Sequence, residues 1–313
     1  MRGVQNPVAE RARGEVLSAR IPEALAGARL DQALARLFPQ YSRSQLTRWV
    51  REGRVRLEAR PAAPSDRVRG GERVEVAPRL EPVGRCAPQA LALDVVYEDA
   101  ALLVVNKPPG LVVHPAAGHH EGTLQNALLH HDPELERLPR AGIVHRLDKD
   151  TSGLLVVART PAARAALVEA LQARAVEREY LALVHGAVIA GGTIEGPIGR
   201  HPVDRKRMAV TPKGRPAVTH YRVAERFRDH TLLRVRLETG RTHQIRVHMA
   251  QMRHPILGDP LYGGRPRPPK GAGEGLRRAL REFRRQALHA ARLVLAHPVS
   301  GERMSWEAPL PED

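Results

Sequence analysis

Residues 141–159, AGIVHRLDKDTSGLLVVAR, set His145, Arg146, Asp148, Lys149 and Asp150 between two apolar runs. A solvated turn has no need of so much charge flanked so tightly by residues destined for burial. A carboxylate at the end of a strand, with cations beside it, is kept ionised and is suited to act as a nucleophile or base. The same stretch also reads as a charged hairpin in which Asp150-Thr151-Ser152-Gly153 is an ordinary turn. Residues 238–254, ETGRTHQIRVHMAQMRH, form a second cluster: a glycine turn at Gly240, Thr242 in a capping position, then Ile245, Met249 and Met252 at the spacing of a buried helical face. Arg246, about 100 degrees from Ile245 around that helix, is placed to reach a partner carboxylate from the first turn. His243 and His248 are five apart, His119-His120 and His130-His131 are adjacent pairs, and there is one cysteine, Cys86. None of these has the spacing of a zinc site, so no metal is expected and the histidines read as structural or surface groups.

The elements that must position these clusters follow from periodicity and breakers. Leu30, Leu34 and Leu37 predict a helix that Pro39 stops. Leu46, Trp49 and Val50 predict a second, with Ser42 or Ser44 as cap and Gly53 at its C-terminal end. Val55 and Leu57, then Val74 and Val76 after Gly70-Gly71, alternate with charge and predict a short β-ribbon. Residues 1–20 lack periodicity and read as a mobile basic tail. Residues 21–76 are then a small helix–helix–ribbon domain, and the proline-spaced stretch 77–90 is a linker. Beyond it, residues 91–313 form the larger domain. Strands are expected at Val95–Tyr97, Leu102–Val105, Ile143–Val144, Leu154–Val157, Tyr180–Val184, Val218–Val223 and Leu232–Leu237. Helices are expected from Thr123 to His130, and from Thr160-Pro161 through Arg174 with Leu167, Ala170 and Leu171 inward. Many strands, few helices and few βαβ units predict an α+β fold with a mixed, largely antiparallel sheet. From Gly263 an insertion carries eight basic residues and two acids, Glu274 and Glu282, and reads as a mobile loop with a short helix.

Bulk composition narrows the function. The chain has 313 residues, 42% hydrophobic and 27% charged, which is globular and long enough for one large domain or two unequal ones. No apolar run approaches the ~18 residues of a spanning helix, and no secretory signal is recognisable, so a cytoplasmic protein without membrane association is expected. Fifty Lys and Arg against 34 Asp and Glu leave a net charge of +16 with histidine neutral. Most of it is arginine, whose planar fork suits phosphate, so a nucleic-acid partner is favoured. Arg43, Arg48, Arg51 and Arg54 crowd the second helix of the small domain, a suitable surface for RNA backbone. Aromatic residues make up only 3%, which argues against broad base-stacking platforms.

Three segments in order, HRLDKDTSGL at 145–154, REYLALVHG at 178–186 and LETGRTHQIRVHMA at 237–250, resemble the RluA family of RNA pseudouridine synthases. Residues 28–76, with GARLDQAL, SRSQL and REGRV, resemble an S4 RNA-binding domain. VVHPAAG, GRPAVTHYR, GDPLYGGRPRPPKGA and RQALHA are closest to members acting on large-subunit ribosomal RNA. The resemblance implies the pseudouridine synthase fold and isomerisation of uridines in 23S ribosomal RNA, at the helix 69 stem-loop, on free RNA or the assembling large subunit. It implies Asp148 as the catalytic aspartate and Arg146 as the side chain that fills the space left by a flipped nucleotide. Tyr180 would stack on the target base, and Arg246 would pair with the carboxylate. Arg178 matches the family's basic residue two positions before the tyrosine. Breaking and remaking a glycosidic bond within one nucleoside needs no redox cofactor, metal or energy source, and nothing demands a dimer, so a monomer is expected. An RNA-binding assembly factor whose catalytic domain has become a scaffold is the alternative. Retention of all four site residues disfavours it.

Overall fold

The computed structural model describes residues 16–38, 41, 43–78, 86–115, 119, 121–204, 206–264 and 268–313. Its contacts divide the chain into two units, Met1–Arg85 and Cys86–Asp313.

In the first unit, strands β1 (Leu17–Arg20), β2 (Val55–Leu57), β3 (Arg60–Pro61) and β4 (Arg73–Val76) form a sheet in the order β1-β4-β2-β3, with helices α1 (Leu30–Leu37) and α2 (Arg43–Arg51). The expected tail therefore ends earlier than Arg20, because Leu17–Arg20 pair with Val76–Arg73 along the free edge of β4. Leu30, Leu34, Leu46, Trp49 and Val50 from the helices meet Val55, Val74 and Val76 from the sheet in one core. Gly53 ends the second helix at φ 70°, a conformation that glycine adopts without penalty. The expected stop at Pro39 and cap at Ser42 lie outside the described residues, and Ser44 falls inside α2 rather than capping it.

The second unit contains, in chain order, β5 (Val95–Glu98), β6 (Leu102–Lys107), α3 (Leu124–His131), β7 (Ser152–Ala158), α4 (Pro161–Gln172), β8 (Glu177–His185) and β9 (Gly192–Glu195). After these come β10 (Ile198–Arg200), β11 (Met208–Val210), β12 (Val218–Arg226), β13 (His230–Leu237), α5 (Gln244–Gln251), α6 (Glu274–Glu282), β14 (Leu288–Ala296) and β15 (Arg303–Glu307). A nine-stranded sheet runs β5-β6-β7-β14-β8-β13-β12-β9, with β15 beside β14, while β10 and β11 make a separate hairpin. All pairings are antiparallel except β7 with β14, which is parallel. The fold is thus α+β with a mixed, largely antiparallel sheet. No helix among the described residues is long and apolar enough to cross a membrane.

Several elements differ from the sequence reading. Strand β14, in the middle of the sheet, and its partner β15 are not anticipated, and Ile143–Val144 is a single bridge to Val157 rather than a strand. Residues 86–90, expected in the linker, pack on the second unit: Cys86 joins its core, and Asn126 bonds Ala87 and Gln89. Part of that linker, 79–85, lies outside the described residues, as do 265–267 of the basic insertion, whose expected short helix is α6.

Two features of this sheet bear on the site. Along β8, Arg178, Tyr180, Ala182 and Val184 are the buried positions, so Arg178 and Tyr180 project from one face about 7 Å apart. The parallel contact of β7 with β14 is limited to Ser152 with His289 and Gly153 with Ala290. There Gly153 sits at φ 108°, and a Cβ on it would lie 2.3 Å from the Ala290 carbonyl oxygen. Only glycine permits that approach, which fixes the end of the loop carrying Asp148.

Candidate active site

The segment between Ile143 and Ser152 leaves regular structure just where the charges cluster. The Thr151 amide donates to the Asp148 carbonyl at 3.1 Å, closing a tight turn. Beneath it Lys107, at the end of β6 and 1% exposed, donates from Nζ to the carbonyls of Pro108 (2.7 Å), Leu111 (3.0 Å) and Lys149 (2.9 Å). Three acceptors match the three N–H groups of an ammonium. Burial pushes the amine down to about 7 against the pull of Asp150 and Asp148. His145 accepts from the Val156 amide through Nε2 at 3.1 Å. Burial, and then the charge of Arg178, lower its imidazole to about 3, so the ring is neutral and carries its proton on Nδ1.

Asp148 lies against the first turn of α5. Arg246, on the first turn of α5 and 4% exposed, donates from Nη1 to Asp148 Oδ2 at 3.0 Å. The helix begins at Gln244, and the residue before it is His243 in a left-handed conformation at φ 57°, so Thr242 is not the cap. Gln244 substitutes: its Oε1 accepts from the Thr239 hydroxyl and the Arg241 amide, which binds the turn to the helix start. His243 Nε2 stands 4.0 Å from Asp148 Oδ2, and its Nδ1 lies 3.0 Å from the Tyr262 hydroxyl. Burial lowers the His243 imidazole, partly offset by Asp148. Of the predicted buried face, Ile245 and Met249 are buried, while Met252 is half-buried at the helix end.

The other edge of Arg246 is taken by a residue that the sequence reading did not select. Asp259 receives Nε at 2.7 Å and Nη2 at 2.9 Å, and its Oδ1 also accepts the amides of Leu261 and Tyr262. Its side chain has no exposed surface. Burial opposes the Arg246 charge, and the bonds and fields of Asp259 and Asp148 outweigh it, holding the guanidinium above its ordinary value. Tyr262 covers the group, with the Arg246 guanidinium carbon 5.2 Å from its ring centre. The available signal was GDPLYGG itself, a polar residue between breakers that reads as a turn.

These groups open on a cleft of about 600 Å³ lined by His145, Arg146, Asp148, Tyr180, His243 and Arg246, among others. Lys149 and Asp150 of the sequence cluster do not line it. Tyr180, 5% exposed, sits between Val235 and Ala290 of the neighbouring strands and makes no hydrogen bond through its hydroxyl to the described residues. Burial pushes its phenol up, so it is protonated at neutral pH. Arg146 is exposed and makes no ion pair with the described residues. His248 lies outside the cleft, held by Thr219 and the Gly196 carbonyl. In the first unit the four arginines behave differently from one another. Arg43 is bound to buried Asp31 at 2.8 Å, Arg48 and Arg54 share Glu52, and Arg51 is exposed without an acidic partner among the described residues.

Comparison with known proteins agrees with this geometry. Residues 101–251 match the RNA pseudouridylate synthase family, and residues 28–74 match the S4 domain. The chain is 56% identical over 298 residues to ribosomal large subunit pseudouridine synthase D of Escherichia coli strain K12, covering 95% of this chain and 91% of that protein. It is 58% identical over 293 residues to the protein of that name from Xanthomonas campestris, covering 94% and 88%. Among solved structures, human RNA pseudouridylate synthase domain containing 4 superposes with a TM-score of 0.54 at 26% identity, covering 70% of this chain and 89% of that one. The human domain-containing 1 protein gives 0.53 at 28% identity, covering 71% and 84%. With its catalytic segments, its fold and its relatives in agreement, the chain belongs to the RNA pseudouridylate synthase family.

Proposed function

We propose that this pseudouridine synthase acts on 23S ribosomal RNA, at the helix 69 stem-loop, with Asp148 as the group that drives the chemistry. The observation that carries the reading is the Asp148–Arg246 pair at 3.0 Å beside Tyr180 in a cleft of nucleotide size. A uridine within a folded stem-loop hides C1′ and C5, so it must be swung out at an unstacking cost of a few kcal/mol. Arg146, exposed and without an ion pair among the described residues, is available to fill the gap it leaves, and the Tyr180 ring is available to stack on the base. Asp148, whose side chain is 16% exposed, faces the Arg246 guanidinium at 3.0 Å on the wall of the cleft that the base would enter. The N1–C1′ bond breaks, the uracil turns within the cleft, C5 bonds to C1′, the C5 proton passes to solvent and N1 takes up a proton in its place, so that product and substrate are isomers. Action as a monomer in the cytoplasm belongs to the same proposal. The S4 unit would add RNA backbone contacts, chiefly through Arg51. The test is to map pseudouridines in 23S RNA from cells with and without this chain. The reading expects loss of pseudouridine within helix 69, restored by wild type, and an unchanged map overturns it.

A further inference from the structure

Arg178 is a physical anomaly. It is 8% exposed, on a central strand of the sheet, yet its side chain has no hydrogen bond or ion pair among the described residues, and its Nε is out of solvent without a partner. A buried guanidinium without a counter-charge is costly, and proteins rarely keep one unless something else neutralises it. The surroundings add cations rather than remove them. Arg174, Arg215 and Arg241 line the same cleft. Among the described residues, Arg174 alone of these has a carboxylate partner, Glu238, and the Arg241 side chain donates only to the Pro216 carbonyl, at 3.1 Å. Burial and then the charges of Arg215 and Arg174 lower the Arg241 guanidinium, so these groups sit close enough to repel one another. Gly240 completes the wall: a Cβ there would lie 3.0 Å from Arg178 Nη1, so a side chain at this position would crowd the guanidinium.

We propose that Arg178, flanked by Arg241 and Arg215, forms a phosphate-binding subsite that takes one RNA phosphodiester next to the extruded uridine. The inference rests on the RNA-modifying reading above. A neutral base edge would satisfy the N–H groups but leave the charge uncompensated, whereas a phosphodiester supplies both the acceptors and the charge. Since Arg178 and Tyr180 project from the same face of β8, the phosphate would be gripped about one nucleotide's reach from the stacked base, on the wall formed by the Gly240 turn.

The test is a chemical double-mutant cycle on the full chain, using a stem-loop RNA in which single methylphosphonates replace the linkages around the target one at a time. One linkage is expected to raise the wild-type KM about ten- to a hundredfold, the range of a charge-assisted hydrogen bond. Arg178→Met is expected to raise KM by a similar factor, with a smaller change in kcat, and to make that linkage insensitive. Without RNA its Tm should equal or exceed that of wild type, because an uncompensated charge has been removed; a merely structural arginine would lower it. Arg178→Lys should recover part of the affinity, and Arg241→Gln, on the cleft wall, should halve the linkage effect or more even if Arg178→Met folds poorly. The proposal is overturned if every linkage costs the variants what it costs wild type. It is likewise overturned if inorganic phosphate competes with RNA while no linkage matters, which would give the subsite to free phosphate. Failure of wild type to release tritium from C5-labelled uridine in any RNA would strike the RNA-modifying reading itself, and the Tm comparison would still stand.

Discussion

Arg246 donates in two directions, from Nη1 to Asp148 and from Nε and Nη2 to Asp259. The second carboxylate fixes the plane of the guanidinium, so that one N–H points at Asp148 without the entropy of a free side chain. Asp259→Asn should leave Arg246 buried but loosely aimed. We expect kcat to fall about ten- to a hundredfold with KM for RNA changed far less. Steady-state kinetics on a stem-loop check this, and a rise in KM alone would contradict the positioning role. Asp148 and Arg246 could be singled out in the sequence because each sits in a dense local pattern of charge or periodicity, whereas Tyr180 entered only through the family resemblance. Asp259 and Lys107 could not, because each looks like a turn or a strand end. Their roles arise from contacts across the fold: Lys107 bonds the carbonyl of Lys149, which is far from it in sequence.

Among the elements, the Asp148 loop is held where β7 touches β14. The contact is short, parallel and closed by Gly153 against Ala290. Gly153→Ala would force a methyl onto the Ala290 backbone and demand a left-handed conformation of an L-residue. It should cost about 1–3 kcal/mol or more in stability and lower kcat by displacing the loop. Thermal melts and single-turnover rates measure both, and a wild-type melt with wild-type rate would remove this contact from the account. The absence of β14 from the sequence reading has a physical cause. LHAARLVLA breaks strict alternation because the strand is covered on both faces and paired on both edges, and such runs are not distinguishable by period from a buried helix. The small unit was more readable, since its α1, α2 and paired strands each bury one side of an amphipathic pattern.

At the scale of the whole molecule, a chain of net charge +16 also keeps several buried or half-buried histidines neutral. Burial lowers His145 to about 3 and His114 to about 4, and moves His230, His248 and His289 in the same direction. Below the ordinary value of 6.5 the unfolded chain therefore binds protons that the folded chain refuses. The stability these groups contribute is complete above about pH 6.5 and is lost as pH falls towards 4 and 3. Tm should fall measurably from pH 7 to pH 5, a window above most carboxylate titration. A flat Tm across that interval would show that these rings accept protons in the folded state.

The most direct measurement is tritium release from C5-labelled uridine in a stem-loop transcript, under single turnover with enzyme in excess. Wild type should release the label from the modified positions. Asp148→Asn, which keeps the size of the side chain and a hydrogen-bonding partner for Arg246, should bind the RNA with similar affinity and release none. Release at the wild-type rate from Asp148→Asn would contradict the assignment of the chemistry to this carboxylate.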